Sequence, residues 1–290
     1  MVKNPKVSII IPTLCRETLY PLINNLLKQE VSFDYEIILI PQVKLKENLL
    51  KDKKIKFYYE PLGKGFAYYR NKGIEKSTGE IIVFIDDDEM PMNNKWLDNI
   101  TLPLIRGKED VVTAGVKIKL GQGYLTDSSS LLGFPGGGAV GFKIMWEVNK
   151  NNYTKHLCSG NLAIKKFILK KVGNFEIEMK NGNEDVNLAN KLISYKILIK
   201  YLEEATVYHV ARKGLINFIK WNYLRGKSVK GYISYNQTEK PSKIIERLNS
   251  SCKILKKVSL EKIYYLPGVL FMMINQYFWQ GIGVFWGKMR

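Results

Sequence analysis

The chain has 290 residues, of which 46% are apolar and 25% are charged, a balance that excludes a disordered chain and supports a sizeable core. Its formal net charge of +18 favours polyanionic partners, namely nucleic acid, phosphorylated ligands or an anionic membrane surface. The three cysteines, Cys15, Cys158 and Cys252, are odd in number and fit no disulfide or metal framework, which indicates a reducing compartment.

The first half of the chain alternates strand and helix patterns. Apolar runs predict buried strands, and apolar residues three and four apart predict amphipathic helices. These rules place strands at 6–12, 35–40, 55–60 and 80–85 and helices at 18–29 and 65–77. The first run is too short for a signal peptide and is read as a strand. The alternation predicts an α/β domain with a mainly parallel sheet, which binds ligands at the carboxyl ends of its strands.

The pattern changes after Asp110 but still contains strands and helices. A strand is predicted at 110–120, a strand and a helix at 158–173, a helix at 183–194, and a strand ending at His209. Gly133–Phe142 holds five glycines in ten residues and is expected to be a flexible loop. That loop either faces a substrate or is a plain surface connector.

Four carboxylates follow the fourth predicted strand, in the sequence "FIDDDEMP". Alternate side chains of an extended segment point the same way, so Asp86 and Asp88 could share one divalent cation, with Asp87 turned elsewhere. Mg²⁺ and Mn²⁺ prefer carboxylate oxygens and accept phosphate oxygens at their remaining positions. Glu89 is expected to be solvated. The alternative is an ordinary acidic turn after a strand.

Four further residues are candidates for chemistry, each with a simpler alternative. Arg70 lies near the start of a predicted helix and could hold a phosphate, or it is an ordinary solvated arginine. Glu184 and Asp185 begin another helix, where one could be a general base, although capping alone explains carboxylates there. His209 could complete a metal site with carboxylates, or it is structural.

Taken in order, five segments resemble the sequential motifs of family 2 glycosyltransferases, which are inverting, metal-dependent enzymes of the GT-A fold. The resemblance covers about Val7 to Arg212, over two thirds of the chain. Its most specific part is the spacing R-N-x-G-x(5)-G-x(4)-F-x-D-x-D from Arg70 to Asp88. The matching segments are "VSIIIPTLCR", "YYRNKGIEKSTGEIIVFIDDDEMP", "SGNLAIKK", "NEDVNLANKLI" and "ATVYHVAR".

The resemblance implies a site for a nucleotide-sugar donor. Asp86 and Asp88 match the D-x-D that binds a metal ion and the nucleotide diphosphate in this family. The residues implied to contact the donor nucleotide are Pro12, Thr13, Arg16, Arg70, Asp86 and Asp87. A divalent cation, Mn²⁺ or Mg²⁺, is implied at Asp86, Asp88 and His209.

The resemblance also implies an acceptor site and a reaction. Gly160 and Asn161 match the small-residue motif that shapes the acceptor and donor-sugar site. Asp185 matches the catalytic base, with Glu184 beside it. The implied reaction is hexosyl transfer to an acceptor hydroxyl with inversion at the anomeric carbon. The acceptor expected is a lipid-linked glycan, or a surface polysaccharide or glycoprotein under assembly.

One departure from the family pattern concerns the donor. The family usually carries an aspartate after the second strand, which reads the nucleotide base, and here Pro41 and Gln42 stand there. The donor is therefore left open among UDP-, GDP- and dTDP-sugars. The same departure keeps an alternative function open, a non-catalytic protein of this fold that binds a nucleotide-sugar or a glycan.

The C-terminal part, 213–290, is predicted to be a basic, aromatic-rich helical extension of a catalytic domain spanning 1–212. From Ala211 to Lys262 there are 13 lysines and arginines against 3 acidic residues, a net charge of +10. Tyr264 to Trp286 then contains no charged residue. A basic block beside an uncharged aromatic segment is typical of an element that lies on an anionic membrane surface.

Two alternatives remain for the uncharged segment. Its 23 residues are long enough to span a bilayer, but they include proline, glycine, asparagine and glutamine, which favours an interfacial helix. It could also be a packed C-terminal helix pair. No nucleic-acid motif is present, so nucleic acid is not expected as a partner. The expected location is cytoplasmic, peripheral on or anchored to the cytoplasmic face of the membrane.

Overall fold

A computed structural model describes most of the chain and divides it into two compact units. The described residues are 6–45, 52–134, 136–179, 182–235 and 242–286, without the side chains of 234–235 and 242–248. The first unit comprises the described residues of Met1–Val116, Val148–Lys180 and Glu184–Tyr208. The second comprises those of Lys117–Glu147, Asn181–Asn183 and His209–Arg290.

The two units differ in their secondary structure, since the first contains almost the whole sheet and the second is helical. In chain order the helices and strands are β1 (Val7–Thr13), α1 (Leu19–Leu27), β2 (Tyr35–Pro41), β3 (Ile55–Phe57), α2 (Phe66–Lys76), β4 (Ile81–Ile85), β5 (Glu89–Pro91), α3 (Trp96–Ile105), β6 (Val111–Lys117), α4 (Tyr124–Leu131), α5 (Phe142–Met145), β7 (Tyr153–Thr154), β8 (Asn161–Lys165), α6 (Lys166–Val172), α7 (Glu184–Ser194), β9 (Ile199–His209), α8 (Leu215–Tyr235), α9 (Ser242–Glu261) and α10 (Leu266–Trp286). A short 3₁₀ helix, Ile263–Tyr265, precedes α10.

The strands form one mixed sheet in the order β3-β2-β1-β4-β8-β6-β9-β5, with β7 beside β9. β1 pairs in parallel with β2 and β4, and β2 pairs in parallel with β3. β8 is antiparallel to both of its neighbours, β4 and β6. The prediction of an α/β fold with a mostly parallel sheet is therefore confirmed, with β8 as a reversed strand inside it.

The central strands are apolar throughout because both of their faces are covered. Every residue of β1, β2 and β4 is buried, as expected for strands inside a mainly parallel sheet. α2 packs very closely on β1, since a Cβ added at Gly73 would lie 2.2 Å from Cγ2 of Ile10. A larger residue at this position would push α2 away from the sheet, and α2 carries Arg70 of the candidate site.

The second unit has its own apolar core and confirms the predicted C-terminal helices. α8 and α10 cross at two glycines, because a Cβ added at Gly226 would lie 2.1 Å from the carbonyl oxygen of Gln280, and one at Gly283 would lie 2.2 Å from that of Tyr223. None of the helices among the described residues combines the length and apolarity needed to cross a membrane. The core residues are Leu131, Leu132, Val140, Phe218, Ile254, Val258, Val269, Met272 and Met273.

A buried carboxylate on β2 ties the strands together far from the acidic segment. Glu36 accepts hydrogen bonds from Ser8 Oγ at 2.6 Å, Thr78 N at 2.7 Å and Lys56 Nζ at 2.7 Å. Burial opposes the charge of Glu36, but these hydrogen bonds outweigh it, and the pKa of Glu36 is lowered from its ordinary value of 4.5. The ionised form of Glu36 therefore stabilises the fold.

We expect Glu36→Gln to destabilise the protein by about 1–3 kcal/mol at pH 7. Because folding lowers the pKa of Glu36, its contribution is complete above the unfolded value near 4.5 and is lost as the pH falls through the folded value. Melting temperatures measured from pH 7 to pH 3 should show the gap between wild type and variant closing in acid. Glu75→Gln, at a half-exposed carboxylate of α2, is the control and should change little. A gap that does not depend on pH would contradict this role.

Candidate active site

The acidic segment lies at the carboxyl end of β4, and its side chains alternate in burial. Asp86 and Asp88 keep 33% and 21% of their side-chain surface exposed. Asp87 and Glu89 are buried. The expectation that Asp86 and Asp88 are accessible and Asp87 is not is met, but in a turn and not in an extended segment, since the amide of Glu89 donates to the carbonyl oxygen of Asp86 at 3.1 Å.

Asp87 holds the loop that follows β1. Its Oδ2 accepts hydrogen bonds from Thr13 Oγ1 at 2.7 Å and from the amide of Leu14 at 3.2 Å, and its Oδ1 accepts one from Arg16 at 3.0 Å. Burial raises the pKa of Asp87, although the contacts with Thr13 and Arg16 oppose that shift. Cys15, which follows Leu14 in this loop, has a positive φ of 56°, so the chain turns sharply there. Asp87 thus fixes the position of a loop predicted to contact a nucleotide.

Arg16 also reaches the accessible side of the acidic segment. Its Nη1 donates to Asp88 Oδ2 at 2.6 Å as well as to Asp87. The side chain of Arg16 is 47% exposed, so this ion pair lies at the surface of the unit. Its positive charge reduces the repulsion among the neighbouring carboxylates, and a cation at Asp88 would compete with Arg16 for the same oxygen.

Arg70 joins the acidic segment to the start of α7. It is 2% exposed, and its Nη2 donates to Asp86 Oδ1 at 2.8 Å while its Nη1 donates to Glu184 Oε1 at 2.7 Å. Burial opposes the charge of Arg70, but Asp86 and Glu184 outweigh it and raise the pKa of Arg70. The alternative of a solvated arginine is therefore wrong. Phosphate contact by Arg70 remains a prediction, since both terminal nitrogens donate to carboxylates.

Two polar atoms of this ion-pair network have no hydrogen-bond partner within the described part of the protein. They are Nε of Arg70 and Oε2 of Glu184, and both are buried. Within the site, Nε of Arg70 can therefore donate one further hydrogen bond and Oε2 of Glu184 can accept one.

Glu89 is buried, and the expectation that it is solvated is wrong. Its Oε2 accepts a hydrogen bond from the amide of Asp86 at 3.2 Å, and a Cβ added at Gly160 would lie 2.6 Å from its Oε1. Burial, followed by the charges of Asp86 and Asp88, raises the pKa of Glu89 well above its ordinary range. A side chain at position 160 would have to displace the carboxylates of both Glu89 and Asp86, because the same Cβ would lie 2.9 Å from Asp86 Oδ2.

Asn161 anchors the reversed strand β8 beside the site. It is fully buried, and its Nδ2 donates to the carbonyl oxygens of Gly115 and Ala205, each at 2.9 Å. Its Oδ1 accepts a hydrogen bond from Trp96 Nε1 at 3.2 Å. These contacts make Asn161 a positioning residue for the neighbouring Gly160, and a direct contact of its side chain with a sugar stays a prediction.

Glu184 and Asp185 occupy the first turn of α7, as predicted. Glu184 is buried against Arg70, whereas Asp185 is partly exposed and accepts a hydrogen bond from the amide of Val186 at 2.7 Å. The charge of Asp185 contributes to the raised pKa of Arg70.

Burial, followed by the charges of Glu89, Asp86 and Asp185, raises the pKa of Cys158 well above its ordinary value. The first unit therefore brings the acidic segment and the predicted base into one electrostatic neighbourhood.

Two predicted residues have other surroundings. Pro12 is buried within β1, where it pairs in register with Ile40. His209 is assigned to the second unit, where its ring lies 5.4 Å from that of Phe134 and its Nδ1 lies 2.5 Å from the carbonyl oxygen of Val210. A role for His209 in holding a metal ion remains a prediction.

The donor atoms available to a cation are the carboxylates of the acidic segment. Across the described ranges no group of three or more histidine, cysteine, aspartate or glutamate residues is arranged to hold a metal ion. Mg²⁺ and Mn²⁺, however, are commonly held by one or two carboxylates together with water and substrate phosphates. Asp86 and Asp88 are hard oxygen donors, partly exposed and two residues apart, and they fit such a cation.

Similarity to known proteins covers both the sequence and the fold. Residues 8–173, more than half of the chain, match the model of the family Glycosyl transferase family 2. An uncharacterized glycosyltransferase of Haemophilus influenzae is 34% identical in an alignment of 103 residues that covers 31% of this chain and 39% of that protein. The match thus spans well under half of that relative's length.

Two solved structures share the fold. The mannosyltransferase PcManGT from Pyrobaculum calidifontis, in complex with GDP-Man and Mn²⁺, superposes with a TM-score of 0.65 at 13% identity, over 99% of this chain and 89% of that one. S. aureus TarS 1–349, in complex with UDP-GlcNAc, superposes with a TM-score of 0.52 at 16% identity, over 96% of this chain and 82% of that one. At such identities the likeness shows the fold alone. The sequence match and the shared fold confirm the resemblance found in the motifs, and the chain belongs to glycosyl transferase family 2, with a GT-A-like fold.

Proposed function

We propose that the chain transfers a hexosyl group from a nucleotide-sugar donor to an acceptor hydroxyl, with inversion at the anomeric carbon. The observation that carries this proposal is the buried Arg70, which joins Asp86 of the acidic segment to Glu184 at the start of α7. Through this link, the segment expected to meet the donor diphosphate lies beside the helix end that carries the candidate base, Asp185.

The proposed donor is a UDP-, GDP- or dTDP-sugar. Both structural neighbours hold a nucleotide-sugar, GDP-Man in one and UDP-GlcNAc in the other, which supports this class of ligand. In this chain the donor nucleotide would lie at the end of β1, with Pro12 and Thr13, at Arg16 of the loop that follows, and against Asp86 and Asp87. Arg16 is exposed enough to reach a phosphate from its place beside Asp88.

The proposed cofactor is Mn²⁺ or Mg²⁺, held by Asp86 and Asp88. The mannosyltransferase neighbour is in complex with Mn²⁺. When bound, such a cation neutralises negative charge on a departing diphosphate. The guanidinium of Arg16 adds a positive charge of the protein at the same edge of the sheet.

The proposed base is Asp185, with Glu184 as a supporting residue. Glu184 is buried and ion-paired with Arg70, whereas Asp185 is partly exposed at the same helix end and is the more accessible to an acceptor. Asp185 takes the proton of the acceptor hydroxyl as that oxygen bonds to the anomeric carbon. The bond from this carbon to the diphosphate breaks at the same time, and its electron pair leaves with the nucleoside diphosphate. Attack from the opposite face inverts the configuration.

The proposed acceptor is a lipid-linked glycan or a surface polysaccharide or glycoprotein under assembly, met at the cytoplasmic face of a membrane. This part of the proposal is supported by the net charge of +10 between Ala211 and Lys262 and by the uncharged segment that follows. A peripheral position on an anionic membrane would bring the site to acceptors held there.

The function is tested by offering the purified protein UDP-, GDP- and dTDP-sugars with Mn²⁺ or with a chelator. We expect one donor to raise the melting temperature and to release nucleoside diphosphate, and we expect chelation to lower that release by about tenfold or more. Added Mn²⁺ or Mg²⁺ should restore it. A stabilising donor that is never turned over, with any glycan acceptor, would favour the binding-only alternative. No response to any donor would refute the proposal.

A further inference from the structure

The outer face of α10 is an exposed apolar stripe. Its six large apolar residues recur at helical spacing and include Phe285 and Trp286, which are 78% and 74% exposed, and Ile274, which is 69% exposed. Contiguous exposed apolar surface on a folded protein marks a place where another molecule docks. The residues of this outer face are Leu270, Phe271, Ile274, Phe278, Phe285 and Trp286.

The opposite face of α10 is already used by the core of the second unit. That inner face packs against α8 and α4, with Gly283 in close contact with α8 and the amide of Gly268 bonded to Tyr124 of α4. The buried residues of α10 are Gly268, Val269, Met272, Met273, Gln280 and Gly283. The outer face is therefore a second apolar surface, which stays exposed when the second unit folds.

The helix that packs on α10 carries positive charge. α8 contains Lys220, Arg225, Lys227 and Lys230 and no acidic residue. The guanidinium of Arg225 lies 4.7 Å from the ring of Trp221, and that of Arg212 lies 4.5 Å from the same ring. Two guanidinium groups therefore lie against one indole ring, each in cation–π contact with it.

We propose that the outer face of α10 lies in the interfacial layer of an anionic bilayer, with the cations of α8 and Arg212 at the lipid phosphates. Exposed apolar and aromatic side chains on one face of a helix, together with basic residues on the helix packed against it, are features of an element that binds an anionic membrane surface. Phe278, Phe285 and Trp286 suit the boundary between head groups and acyl chains. A second copy of the chain is disfavoured as occupant, because residues 211–262 carry a net charge of +10 and two such segments repel each other. The proposal deepens the membrane location proposed above and does not depend on sugar transfer.

The test is co-sedimentation of the full chain with vesicles of phosphatidylcholine alone or mixed with phosphatidylglycerol. We expect binding to the mixed vesicles that weakens as salt rises, and little binding to neutral ones. Ile274→Ser with Phe278→Ser should weaken binding by about thirtyfold, because two large apolar groups no longer enter the interface. Lys227→Gln with Lys230→Gln should weaken it by about tenfold or more and reduce its dependence on salt.

Leu198→Ser is the matched control, since Leu198 is 60% exposed and lies outside α8 and α10. Its binding should equal that of the wild type. Each variant should keep its circular dichroism melting curve and its release of nucleoside diphosphate from a soluble donor, so that lost membrane binding and lost catalysis are separable. If the wild type does not bind anionic vesicles, or if the variant with Ile274→Ser and Phe278→Ser binds them as Leu198→Ser does, the proposal is overturned. A dimer in light scattering that the serine substitutions abolish would also overturn it.

Discussion

Asp185→Asn should lower the rate of sugar transfer by about 10²–10⁴ while leaving donor affinity close to that of the wild type. Asparagine keeps the size of the side chain and can still accept the hydrogen bond from the amide of Val186. It cannot take the proton of the acceptor hydroxyl at neutral pH. The loss should therefore fall on kcat, measured by nucleoside diphosphate release with a saturating acceptor, and not on the donor Kd measured by calorimetry.

Asp98→Asn is the matched control for this substitution. Asp98, like Asp185, is a partly exposed aspartate in the first turn of a helix of the first unit. Both variants lose the same favourable interaction with the helix dipole, so a rate loss seen only in Asp185→Asn belongs to the chemistry. A rate within about tenfold of the wild type for Asp185→Asn would remove it as the base. Glu184→Gln would then be the next variant to measure.

The strands and the acidic segment were predictable because local pattern determines them. β1, β2 and β4 are uninterrupted apolar runs, and a strand buried on both faces permits nothing else. The burial of Glu89 was not predictable in this way. Residues 86–89 form a turn closed by the amide of Glu89 on the carbonyl oxygen of Asp86, so the alternation of an extended segment does not apply to them.

The burial of Arg70 was also present in the helical spacing. Arg70 lies three residues after Ala67 and four before Ile74, and both of these are inward-facing residues of α2. Its charge suggested a surface position instead. A charge on the inner face of a helix requires partners, and the pattern of one helix cannot say that they come from β4 and α7.

Long-range pairing was beyond the reach of the sequence patterns. Apolar alternation gives no direction for β8, so its antiparallel place between β4 and β6 emerged only from the structure. Asn161 at the start of β8 is held by carbonyl groups of two other segments, at Gly115 and Ala205. The grouping of Lys117–Glu147 with the C-terminal helices likewise depends on contacts between residues far apart in the chain.

Arg70→Met should destabilise the protein by about 3–5 kcal/mol, because methionine fills much of the space but leaves Asp86 and Glu184 without their shared cation. Removing one member of a buried ion pair costs far more than the pair contributes, since an unpaired charge remains in a dry site. Urea unfolding at pH 7 measures this loss. The unfolding free energy of Arg70→Lys should lie between those of the wild type and Arg70→Met, since one ammonium group cannot bridge both carboxylates as the guanidinium does.

Two further variants determine whether an unpaired buried charge causes the loss of stability in Arg70→Met. Adding Glu184→Gln to Arg70→Met should recover about 1–3 kcal/mol, because the more deeply buried carboxylate becomes neutral. Arg16→Met should cost at most about 1 kcal/mol, because Arg16 is half-exposed although it also bonds aspartates of the acidic segment. An unfolding free energy for Arg70→Met within about 1 kcal/mol of the wild type would show that the network does not hold β4 to α7. The stability of the first unit would then not depend on this ion-pair network, and Arg70 would have to be explained by contact with the donor.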